Sequence, residues 1–153
     1  MFSNNKFRQI IKSLLSKPIA VATIKGINNI SGWAKFYQSP YGIVVLTEIN
    51  GLPQTKTNFF AMHIHENGDC QNNFANTGMH YNPNNLPHPQ HSGDLPPLLS
   101  NNGYALSAVL TTRFNAREII GKSIIIHNNP DDFNTQPSGN SGNKIACGVI
   151  NKN

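Results

Sequence analysis

The run Phe59-Phe60-Ala61-Met62-His63-Ile64-His65 decides how this chain is read. It is a short, aromatic and apolar stretch of the kind found in strands. In an extended strand successive side chains point to opposite faces, so His63 and His65 share one face while Ile64 enters the other layer. Two imidazoles on one rigid face make half of a metal site.

Similar runs lie on either side. Ile19 to Ile24, Gly32 to Tyr37 and Ile43 to Ile49 precede it, and Ala105 to Leu110, Ser123 to His127 and Ile145 to Ile150 follow, separated by Gly, Asn, Pro and Ser turns. This pattern predicts an all-β domain, an antiparallel sandwich or barrel. One segment departs from it: over residues 2–16, Phe7, Ile10, Ile11, Leu14 and Leu15 recur at helical spacing among Lys6, Arg8, Lys12 and Ser13. That reads as a short amphipathic helix, either a cap packed on the domain or a contact for a partner or a membrane surface. The expected organisation is an N-terminal helical extension over 1–18 and one domain over 19–153.

Bulk properties agree with a single turn-rich globular domain. The chain has 153 residues, of which 38% are hydrophobic and 12% charged, with 12 Gly and 10 Pro. Its formal net charge is +5. No acidic residue precedes Glu48, yet Lys6, Arg8, Lys12, Lys17, Lys25 and Lys35 are spread out and form no basic cluster, which argues against nucleic acid as a partner. No apolar stretch approaches the length of a membrane span, and Lys12 splits Ile10-Ile11 from Leu14-Leu15, unlike the apolar segment of a signal peptide. The expected location is the cytoplasm. Cys70 and Cys147 are the two cysteines, either a pair or two buried free thiols, and too few for a structural zinc site of their own.

Two stretches, Glu66 to Leu99 and Asn128 to Asn143, are too long for hairpin connections, and loops of that length in a compact domain are usually functional. The first carries His80, His88, His91 and Asp94 within fifteen positions. Three imidazoles and a carboxylate suit zinc, which accepts N and O donors in a tetrahedral arrangement. The sixth histidine, His127, ends the apolar run Ser123-Ile124-Ile125-Ile126. A site this rich in imidazole favours copper, zinc, iron or nickel over calcium or magnesium.

With His63-Ile64-His65-Glu66, Gly78-Met79-His80-Tyr81-Asn82-Pro83, His91-Ser92-Gly93-Asp94-Leu95-Pro96 and the closing Gly139-Asn140-Ser141-Gly142-Asn143-Lys144-Ile145-Ala146-Cys147-Gly148-Val149-Ile150 in this order, the chain resembles the copper–zinc superoxide dismutase family, in particular its bacterial type with a short zinc loop. The resemblance covers most of residues 19–150 and omits the N-terminal helix. It implies an eight-stranded Greek-key β-sandwich or flattened barrel of immunoglobulin-like architecture. It implies copper on His63, His65, His80 and His127, and zinc on His80, His88, His91 and Asp94, with His80 shared between the ions. Asp131 matches a carboxylate that links one copper ligand to one zinc ligand, and Cys70 and Cys147 match an intrachain disulfide.

The implied reaction is conversion of superoxide anion to oxygen and hydrogen peroxide by copper redox cycling, with His80 as proton carrier and zinc in a supporting role. Lys144 stands where the family usually has an arginine, and a cation there would draw the anionic substrate inward. A homodimer is left open by the resemblance. Three features depart from the usual pattern: His88 and His91 are only three residues apart, Ala61-Met62 replaces Gly-Phe, and the segment from Cys70 to His80 is longer. The alternative reading is a copper- and zinc-binding domain of the same fold without turnover. The presence of all seven ligand positions favours the enzyme.

Overall fold

A computed structural model describes residues 5–153. Eight strands form a single sheet: β1 (Ala20–Gly26), β2 (Ser31–Ser39), β3 (Gly42–Asn50), β4 (Phe59–His65), β5 (Asp94–Leu99), β6 (Ala105–Thr111), β7 (Ser123–His127) and β8 (Lys144–Lys152). Their order is β5-β4-β7-β8-β1-β2-β3-β6, and every pairing is antiparallel. The end strands β5 and β6 also touch, so the sheet curls into a nearly closed barrel. β3 and β4 follow one another in the chain but lie far apart in the sheet, as do β6 and β7, which gives the expected crossed-over connections.

The barrel closes over side chains supplied by strand alternation. Ala20, Ala22 and Ile24 of β1, Phe60, Met62 and Ile64 of β4, and Ile124 and Ile126 of β7 all enter one apolar core and are essentially inaccessible to water. Each large member contributes about 1.5–3 kcal/mol by leaving water. The opposite faces of β4 and β7 are buried as well, which is unusual for an antiparallel sheet with one wet side. There the cover is the two long loops, and Ala61, His63, His65, Ile125 and His127 lie beneath them.

Three elements differ from the sequence expectation. The last part of the stretch taken as loop, Asp94–Leu99, is the edge strand β5, where Pro96 and Pro97 are tolerated because an edge strand does not need every N–H for its ladder. A one-turn helix, α2 (Ala116–Ile119), follows β6; Asn115 accepts from the backbone of Arg117 and Glu118 while the Glu118 side chain accepts from the Asn115 N–H. The N-terminal helix, α1, covers Asn5–Leu14, inside the expected span; residues 2–4 of that expectation lie outside the described residues. It packs on β2 but buries none of its side chains completely.

Cys70 and Cys147 are joined in a disulfide across 77 positions of sequence. The bond ties the start of the first long loop to β8, so the loop carrying four of the site residues is fastened to the barrel wall.

Candidate metal centre

The outer face of β4 presents His63 and His65, while Ile64 between them sits in the core, as alternation requires. β7 lies beside β4, and a shift in its register with β8 between Ile126 and His127 re-aims the last residue of the strand. The Nε2 atoms of His65 and His127 approach to 3.4 Å.

His80 is brought to this pair by backbone bonding. Glu66 N–H donates to Met79 O and Tyr81 N–H to Ile64 O, so residues 79–81 add on to the end of β4. Gly93 closes the next layer: its N–H donates to Tyr81 O and its carbonyl accepts from Ile64 N–H. A Cβ at position 93 would sit 2.3 Å from the Ile64 carbonyl oxygen, so only glycine permits the approach. This stitching carries His91 and Asp94 to the far side of the His80 ring.

Two groups of donor atoms result, one of His63, His65, His80 and His127 and one of His80, His88, His91 and Asp94, each within 4.8 Å of one another and all buried. His80 belongs to both. The three-residue spacing of His88 and His91 does not prevent convergence: Asp94 Oδ2 lies 3.0 Å from His88 Nδ1 and 3.2 Å from His91 Nδ1, and Asp94 Oδ1 lies 2.7 Å from His80 Nδ1.

Ring orientation follows from what each second nitrogen bonds. Carbonyl and carboxylate oxygens only accept, so the nitrogen facing them carries the proton. His65 Nδ1 donates to Gly78 O at 2.9 Å and His127 Nδ1 to Gly142 O at 3.2 Å, which turns both Nε2 atoms inward. His63 Nε2 donates to Asp131 Oδ2 at 2.7 Å and His88 Nε2 to Asp131 Oδ1 at 2.8 Å. The atoms left over are His63 Nδ1, His80 Nε2 and His88 Nδ1, all buried and without a hydrogen bond among the described residues; with its proton on Nε2, His88 Nδ1 lies 3.0 Å from Asp94 Oδ2 as one acceptor facing another. A buried polar atom without a partner costs about 1–3 kcal/mol. Three such atoms aimed into two clusters of imidazole fit cations at those positions.

Charge states point the same way. Burial holds His65 down to about 2 and His127 to about 3, and burial also lowers His63 and His91 despite their carboxylate neighbours. These rings are neutral at ordinary pH, so their short contacts to carboxylates are not ion pairs; neutral imidazole is the form that binds metal. Burial opposes ionisation of Asp131, but hydrogen bonds from His63, His88 and the Phe133 N–H outweigh it and bring it to about 2. Asp94 is likewise lowered, its hydrogen bond with His80 and the surrounding imidazoles overcoming burial.

Two supporting residues, Gln136 and Arg113, have no signature in the sequence, and they stand beside Lys144, the cation that the resemblance singles out. Gln136 brackets His88, accepting from its N–H and donating to its carbonyl. Arg113 Nη1 reaches the carbonyls of Pro89, His91 and Asp94. Lys144 donates to Phe74 O, Thr77 Oγ1 and Gly78 O, the last being the carbonyl that orients His65. Half-buried and lowered by that burial, Lys144 lines an open cleft with Gly78, Met79, Asn128, Gly142 and Asn143, and its charge is felt by both His65 and His127.

Comparison with known proteins agrees with this architecture. The copper/zinc superoxide dismutase (SODC) family model matches residues 30–150. The chain is 32% identical to the copper–zinc superoxide dismutase of Legionella pneumophila over 142 residues, 88% of this chain and 80% of that one. It is 33% identical to copper–zinc superoxide dismutase 3 of Arabidopsis thaliana over 148 residues, 86% of this chain and 88% of that one. Among solved structures, the clock protein EA4 superposes with a TM-score of 0.79 at 27% identity, covering 90% of this chain and 97% of that one. A family match over most of the chain, an eight-stranded barrel and a doubly buried imidazole cluster lead to one conclusion: this chain belongs to the copper/zinc superoxide dismutase family.

Proposed function

We propose that this chain dismutes superoxide at a copper–zinc pair, with copper on His63, His65, His80 and His127 and zinc on His80, His88, His91 and Asp94. The observation that carries the assignment is His80. Its Nδ1 faces Asp94 and His91, while its Nε2, buried and unpartnered among the described residues, faces the His63, His65 and His127 group. When bound, copper supplies one-electron chemistry that turns two superoxide anions and two protons into oxygen and hydrogen peroxide, and zinc supplies charge without redox.

The protein's own residues have separable tasks in this reading. His80 Nε2 can hold a proton on the copper side while Nδ1 stays engaged on the zinc side, so it is placed to give a proton to a reduced oxygen species. Asp131 fixes the rings of His63 and His88 together. Lys144 is a fixed positive charge at the cleft. All three of its N–H bonds are directed at the loop over residues 74–78, so it acts through its field and by holding Gly78 O in place for His65.

The domain division, the location and the assembly belong to the same proposal. Residues 19–153 form the metal-binding domain and 1–18 an extension to it. Among the described residues no helix is long and apolar enough to cross a membrane. The cytoplasm is tested by cell fractionation, and a homodimer by sedimentation velocity.

His127→Ala tests the site assignment. It should remove copper-dependent turnover and leave zinc content and the circular dichroism of the barrel unchanged. Retention of full turnover would refute the copper assignment.

A further inference from the structure

Helix α1 (Asn5–Leu14) has two different flanks. One turns to the barrel: Gln9, Ile10, Ser13 and Leu14 are partly buried, Tyr41 Oη donates to Gln9 Oε1 at 3.1 Å, and Lys6 lies over the Tyr41 ring. The other flank does not. Phe7 and Ile11, four apart and so aligned on the helix, are 66% and 41% exposed, and Leu15, in the turn that follows Leu14, is 83% exposed and extends the apolar surface.

An apolar stripe beside the flank that already holds the helix to its domain is not needed for folding. Its border is basic: Arg8 and Lys12 form a parallel row one position further round, and Lys17 follows the helix. The helix contains no acidic residue, and none occurs in the chain before Glu48. An aromatic and aliphatic stripe edged by cations fits a surface that is apolar a few ångströms deep and negative at its boundary, as an anionic lipid bilayer is.

We propose that Phe7 and Ile11 of α1 and Leu15 of the turn after it, with Arg8 and Lys12 beside them, dock this protein peripherally on anionic lipid membranes. The stripe enters the headgroup and acyl boundary while the cations remain among the lipid headgroups. Because Gln9, Ile10, Ser13 and Leu14 are engaged with the barrel, the metal-binding domain would be held close to the lipid and not on a free tether. This inference does not depend on the metal assignment.

The test is co-sedimentation of the full-length protein with two sets of vesicles, phosphatidylcholine alone and phosphatidylcholine containing phosphatidylserine. The protein should bind the anionic vesicles, bind the neutral ones at least about tenfold more weakly, and be released by salt. Phe7→Ser, Ile11→Ser and Leu15→Ser together alter only exposed positions and should reduce binding at least about tenfold with the fold intact. Arg8→Gln and Lys12→Gln should each reduce it about fivefold. Absence of binding to anionic vesicles would overturn the proposal, as would binding that the triple substitution leaves unchanged. Self-association that the triple substitution abolishes, without lipid binding, would assign the stripe to a second copy of the chain instead.

Discussion

Asp131 bonds His63 and His88 at once, with Oδ2 at 2.7 Å from one ring and Oδ1 at 2.8 Å from the other. One carboxylate therefore sets the orientation of a ring in each half of the metal centre. The turn that presents it is held by Asp132, which accepts from Asn134 N–H, Thr135 N–H and Thr135 Oγ1–H. Replacing Asp131 by asparagine keeps the shape but removes an acceptor and the charge. Metal affinity should fall roughly 10–100-fold, measured by competition with a chelator at each site.

Gly139 guards the same bridge. It has φ +68°, and a Cβ there would lie 2.0 Å from Asp131 Oδ1 and 2.7 Å from His88 Nε2. Gly139→Ala should displace the carboxylate and lower zinc affinity to a similar degree. Since both changes act through one contact, the double variant should lose little more than either single one. Independent, additive losses in the titration would show that the bridge is not the shared cause.

Lys144 should matter to encounter more than to chemistry. With Lys144→Met the field at the cleft is lost and Gly78 is freed, so kcat/KM should drop about tenfold and its dependence on ionic strength should flatten. Lys144→Arg should keep both. Stopped-flow rates over a range of salt concentrations distinguish these outcomes.

The disulfide closes a long loop, and chain-entropy reasoning gives about 4.5 kcal/mol for a closure of 77 positions. Cys70→Ser with Cys147→Ser should lower the unfolding free energy of the metal-free protein by an amount of that order, read from urea denaturation.

For the metal-free protein the histidines predict a direction with pH. His65 near 2 and His127 near 3 stay neutral in the folded state well below the ordinary value of 6.5, whereas the unfolded chain takes up protons there. The unfolded state thus binds more protons, and stability should fall as pH drops below about 6.5. Asp131, held near 2 against a usual 3.8, adds a loss of the same sign in its own lower window. A metal-free protein with constant stability from pH 7 to 4 would contradict the neutral, buried state of these rings.

Much of this centre was legible in the chain because it rests on periodicity. The alternation in His63-Ile64-His65 places two rings on one face, and the structure keeps Ile64 in the core. What stayed hidden rests on contacts that leave no pattern. Arg113 and Gln136 bond backbone atoms of the loop, which any residue could offer. Pro96-Pro97 masked β5, since prolines speak against a strand except at an edge, and edge position is a property of the assembled sheet. Periodicity does not reveal a helix as short as α2, although its capping pair, Asn115 and Glu118, is a local signal present in the sequence. The short spacing of His88 and His91 cannot by itself report geometry, because Asp131 and Gln136 from a distant loop position His88.

In the proposed function His80 serves two ions at once in an active enzyme. Its most direct test is metal analysis of the purified, reconstituted protein alongside superoxide turnover. One copper and one zinc per chain are expected, with turnover well above that of the same concentration of free copper. Protein fully loaded with copper and zinc but no more active than free copper would contradict it, leaving a binding domain on a dismutase fold.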